Sequence, residues 1–78
     1  MPVILRAGPY RVYFYSHEPN EPPHVHVDRD DFSAKFWLRP ISLAHNLGFS
    51  AVELRRIQKI LINHERALLA AWHRHLGP

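Results

Sequence analysis

Hydrophobic and polar positions change period once along this chain. In the first half they alternate with a period of two, as in strands with one buried face; in the last third they recur at steps of three, four and seven, as along one helical stripe. Residues 3–6 are a short β-prone run ending at the turn pair Gly8-Pro9. Residues 10–16, Y-R-V-Y-F-Y-S, are dense in aromatic and β-branched side chains and predict a second strand. Tyr10, Val12 and Phe14 fall on one face of it; Arg11, Tyr13 and Tyr15 fall on the other. Residues 17–23 hold three prolines, one asparagine and two glutamates, which predicts a loop, since proline cannot donate to a ladder.

Residues 24–29 and 32–38 predict third and fourth strands joined by an Asp30-Asp31 turn. A two-residue loop there sets Arg29 across from Phe32, Asp28 from Ser33, His26 from Lys35 and His24 from Trp37. The opposite face then pairs Val27 with Ala34 and Val25 with Phe36. Slipping by one residue would set the histidines against Ala34 and Phe36, so the hydrophobic pattern itself selects the register.

Pro40 is expected to end the sheet, with residues 41–46 forming one or two helical turns capped by Gly48. Phe49-Ser50-Ala51-Val52-Glu53-Leu54 is a helix start, with Ser50 and Glu53 as a capping box. Leu54, Ile57, Leu61, Leu68 and Trp72 form one apolar stripe after it. The helix is expected to stop at Gly77-Pro78 and to bend near Asn63-His64. Strands first and helices after is the α+β class. The expected architecture is a small antiparallel sheet of three to four strands, then a short helix, then one long C-terminal helix on the Val25/Val27 face.

The chemistry concentrates in Glu21-Pro22-Pro23-His24-Val25-His26-Val27-Asp28. Alternation places His24, His26 and Asp28 on one face, with Lys35 and Trp37 beside them. Three uses remain open. A metal could take His24 and His26, with His17, Glu18, Glu21 or Asp28 completing the set. Lys35 beside His26 would repel a cation, so no bound metal or other cofactor is expected, and the pair is only a fallback ligand set. Alternatively, His24 and His26 could act as acid and base, with Lys35 and Arg11 or Arg39 supplying positive charge. That is the residue set of a metal-independent ribonuclease, with Tyr13, Tyr15 and Trp37 to stack on bases. Finally, the histidines could be ordinary strand residues bridging to Glu21 or Asp28. His73 and His75 fall in the last helical turn, where a cation suits the helix dipole.

Composition narrows the setting. The chain has 78 residues, which implies one domain over 1–78. It has no cysteine, which excludes disulfides and a cysteine zinc site. The longest apolar run, residues 67–72, is far short of a membrane span, so no membrane association is expected and the cytoplasm is the default location. Net charge is +3 with seven histidines, a mild bias towards anionic partners such as RNA or an acidic protein. Large side chains on both faces of the second strand imply association, as a homodimer or a hetero-complex.

These residues also resemble a known family. M-P-V-I-L-R-x-G-P-Y-R, then F-Y-S, N-E-P-P-H-V-H-V, A-K-F-W-L-x-P and G-F-S-x-x-E-L-R-R-I are similar to the small bacterial family called domain of unknown function 4160. The matching positions include Glu21, Pro22, Pro23, His24, Val25, His26, Lys35, Phe36, Trp37 and Leu38; Asp28 stands where glutamate is often found. The resemblance implies a neighbouring antitoxin-like small protein as partner, in a toxin–antitoxin-like pair. It carries over no catalytic residues. On this basis the chain is expected to be one half of such a module, acting on RNA through its His-x-His strand. The alternatives are a non-enzymatic binding or regulatory subunit and, third, a small metal-binding protein.

Overall fold

Five strands lie side by side in their chain order, β1 (Val3–Ala7), β2 (Tyr10–Tyr13), β3 (His24–Arg29), β4 (Phe32–Leu38) and β5 (Ile41–Leu47), each antiparallel to the next. Two helices follow, α1 (Ala51–Asn63) and α2 (Glu65–Leu76). The computed structural model describes residues 3–15 and 20–76. Ser16, His17, Glu18 and the Gly77-Pro78 stop lie outside the described residues.

The β3–β4 register is the one the hydrophobic pattern selects: all six pairs from His24↔Trp37 to Arg29↔Phe32 occur. Asp30 closes the turn at φ 55°, a left-handed conformation that aspartate tolerates because its short side chain bonds locally. Val12, Val25, Val27, Ala34, Phe36 and Leu38 are buried from these strands and pack with Ile57, Leu61 and Leu68 of the helices. Full burial of each valine, leucine, isoleucine or phenylalanine among them favours folding by about 1.5–3 kcal/mol.

The fold is α+β, as the order of elements implies, with two differences of detail. Residues 41–46 are not helical turns; they form most of β5, which completes a fifth strand. Pro40 does not end the sheet because it sits in the two-residue connection between Leu38 and Ile41, where no ladder donor is required. Its peptide bond with Arg39 is cis. Gly48 is accordingly no helix cap. It links β5 to α1 at φ 107°, and a Cβ there would collide with the Phe32 ring.

The long helix is broken at His64, where a bend was expected. The His64 amide donates to Leu61 O at 3.1 Å, its Nδ1 lies 2.9 Å from Ile60 O, and its carbonyl accepts from Leu68 N at 2.9 Å. One residue thus closes α1 and opens α2.

The start of α1 is anchored to the sheet. Ser50 Oγ accepts from the Glu53 amide at 3.2 Å. The Glu53 carboxylate, which a capping box would turn back on Ser50, instead receives Arg29 through Nε and Nη2 and the Tyr10 hydroxyl at 2.8 Å. Asn46 and Phe49 exchange two bonds, Nδ2 to Phe49 O at 2.9 Å and Phe49 N to Oδ1 at 3.1 Å, which fixes the turn from β5. No helix among the described residues is long and apolar enough to cross a membrane.

Candidate functional site

Register and alternation set three cross-strand rows on the sheet face away from the helical core. One row runs Arg11, Asp28, Ser33 and Leu47. The middle row runs Tyr13, His26, Lys35 and His45. The third runs His24, Trp37 and Ser42. Cross-strand neighbours of this kind are the contacts that stabilise a sheet face. The expected grouping of His24, His26, Lys35, Trp37, Arg11, Tyr13 and Asp28 on one face is therefore present. His45 joins the middle row because residues 41–47 form a strand paired to β4 and not the helical turns expected over 41–46.

The proline pair that precedes the site contributes its carbonyls. Pro22 O lies 3.0 Å from His24 Nδ1, and Pro23 O accepts from the Leu38 amide at 2.9 Å. Neither proline has an amide hydrogen to satisfy. Pro23 thus extends the β3–β4 pairing by one bond, while Pro22 orients the His24 ring and favours the tautomer with its proton on Nδ1.

His24 is fully buried, at 0 % exposure. Its ring lies 5.0 Å from Trp72 of α2, 5.3 Å from His26 and 5.9 Å from Trp37. Trp72 also packs on Phe14 at 5.4 Å, so α2 closes the end of the sheet where β2 stops and β3 begins. Both valines of the V-H-V run face the core as expected. The surprise is that a helix tryptophan covers a histidine that shares the other face.

His26 is half-buried and held by rings. Tyr13 stacks on it at 5.3 Å with 21° between the planes, and Tyr15 meets it edge-on at 5.0 Å. Tyr13 is itself buried, so strand two does not offer that ring as exposed surface. Its hydroxyl donates to Asp28 Oδ2 at 3.0 Å. Burial first, and the adjacent Asp28 second, push the Tyr13 phenol well above its ordinary value.

Positive charge on this face is internally matched. Lys35 Nζ bonds Glu21 Oε1 and sits 4.7 Å above the Trp37 ring. Arg11 Nη2 lies 3.5 Å from Asp28 Oδ2. Glu21 is also 3.8 Å from His24 Nδ1. Arg39, the other cation considered, is exposed in the β4–β5 turn. Among the described residues no three His, Cys, Asp or Glu side chains group as a metal would require; the loop candidates His17 and Glu18 lie outside them.

The arrangement can do two things chemically. It can present a pre-ordered set of half-buried rings, Tyr15, His26 and Trp37, backed by paired charges. It can also shield a titratable ring from solvent, since His26 Nε2 is buried beside Tyr13 and Tyr15.

A family model described as Domain of unknown function (DUF4160) matches residues 10–73. No curated protein and no solved structure matches the chain.

Proposed function

The chain belongs to the DUF4160 family, and from the geometry of its sheet face we propose that it is a non-enzymatic binding subunit of a two-protein, toxin–antitoxin-like module. The carrying observation is the state of the would-be catalytic set. His24 is fully enclosed, and Lys35 and Arg11 are already engaged by Glu21 and Asp28. Phosphoryl transfer needs an accessible acid, an accessible base and a cation available to the substrate. A protein interface needs ordered aromatic and charged anchors that lose little entropy on binding, and Tyr15, His26, Lys35 and Trp37 have that form. The partner would be the small antitoxin-like protein encoded beside it.

The test is co-purification of the chain with that neighbour, alongside incubation of the purified chain with RNA. The expected result is a stable complex, weakened by Trp37→Ala or Lys35→Glu, and intact RNA. RNA cleavage that disappears in His26→Ala would replace this reading with the ribonuclease one.

A further inference from the structure

Charge is unevenly divided between the two layers. Residues 1–50 carry five cations and five anions, whereas residues 51–78 carry five cations and two anions. The whole net charge of +3 therefore resides on the helices. One of their two acids, Glu53, is turned to Arg29 and Tyr10. Among the described residues, no carboxylate lies within ion-pair distance of Arg55, Lys59 or Arg66.

These cations share a stripe with two aliphatic side chains. Val52, Arg55, Lys59 and Ile62 follow one another at steps of three, four and three on the side of α1 opposite the buried Ile57 and Leu61, and Arg66 follows in the first turn of α2. All five are exposed. Val52 at 57 % and Ile62 at 51 % are among the most exposed large aliphatic residues described. Two open grooves flank the stripe. One is lined by Arg55, Arg56, Gln58, Lys59 and Ile62, the other by residues 62–67, and they meet at Ile62.

We infer that this outward stripe of α1 docks an acidic amphipathic helix of a partner protein. A three–four repeat is the spacing that a second helix reads, with side chains at those positions seating between its own. The cations call for carboxylates on the incoming helix, and Val52 and Ile62 call for aliphatic groups between them. A nucleic acid fits less well. Proteins that track single strands place aromatic rings among their cations, and the one Phe, Tyr or Trp in either helix is Trp72, which is buried. Exposed Ile62 would gain nothing from a phosphate backbone. This surface is separate from the sheet face proposed above and stands independently of it.

The experiment uses the full chain and two fluorescent probes. One is a synthetic helical peptide with leucines in a three–four repeat and glutamates elsewhere; the other is an oligouridylate of the same net charge. Anisotropy is read at moderate salt, and circular dichroism confirms that each variant is folded. The peptide is expected to bind more tightly than the oligouridylate. Ile62→Ser, which leaves the charge untouched, should weaken the peptide by about tenfold, and Arg55→Gln with Lys59→Gln should do the same. Val52→Ser serves as the second apolar variant. Failure of the peptide to bind, unchanged affinity in both serine variants, or preference for the oligouridylate would each overturn the inference.

Discussion

Tyr13 donates its hydroxyl to Asp28 Oδ2 at 3.0 Å, joining the middle row of the sheet face to the row beside it. The acceptor is partly buried, and its second oxygen Oδ1 has no hydrogen-bond partner among the described residues. The bond is thus the main neutral contact holding a carboxylate inside an aromatic cluster, with Arg11 at 3.5 Å as its ionic partner.

Tyr13 should ionise late. A phenol whose value is raised on folding keeps its proton more firmly in the folded chain, so its contribution to stability is present below about pH 10 and lost as pH rises through the higher folded value. In an alkaline titration followed by phenolate absorbance, Tyr13→Phe should remove a late step and leave the earlier ones. The same variant should cost about 1–2 kcal/mol in urea unfolding. A tyrosine titration at ordinary values throughout would contradict the packing.

Glu53 should make the fold acid-sensitive. The Arg29 guanidinium, and after it the Tyr10 hydroxyl, hold its carboxyl below the usual range. A lowered value means the folded chain binds that proton less readily, so the stabilisation is present above about pH 4.3 and lost as pH falls through the folded value. Glu53→Gln should lower the urea midpoint at neutral pH and flatten its decline towards acid.

The two histidines of the motif should behave differently. His24→Ala removes a fully buried ring from between Trp72, His26 and Trp37, and should cost about 2–4 kcal/mol. His26→Ala leaves a half-buried position and should cost about 1 kcal/mol or less. Thermal unfolding of both variants separates them, and equal losses would argue against the enclosure of His24.

Gly48→Ala should destabilise strongly for its size. The position has φ 107°, and the added methyl would meet the Phe32 ring. About 1–3 kcal/mol is expected, read as a urea midpoint shift. Adding Phe32→Ala should relieve the collision and leave only the backbone part.

How far the sequence reveals this molecule depends on the range of the contacts involved. The β3–β4 register was legible because one buried face and a two-residue turn leave a single consistent pairing. The start of α1 was legible from Ser50 and Glu53, although the Glu53 side chain chose Arg29 over its own helix end. β5 was not. I-S-L-A-H-N-L has one β-branched residue, follows a proline, and becomes a strand through pairing with β4, which is tertiary context and not local propensity. On the site, alternation gave the shared face of His24, His26 and Lys35. It could not give the cover supplied by Trp72, nor the bond between Lys35 and Glu21, since both join residues distant in the chain.

The side-by-side order of the strands bears on how the chain reaches this structure. Each strand pairs with its predecessor, so nearly every sheet contact is short in sequence, a topology associated with rapid folding. The turns after β1, β3 and β4 are two residues long, while the connection from β2 to β3 spans residues 14–23. Two pieces can therefore zip up on their own: the β1–β2 hairpin and the β3–β4–β5 meander. Joining them requires closing the one long loop in the sheet, and the reward lies at its ends, where Val12 meets Val27 and Tyr13 meets His26. The proline-rich segment that introduces the histidines is thus also the seam between the two halves of the sheet.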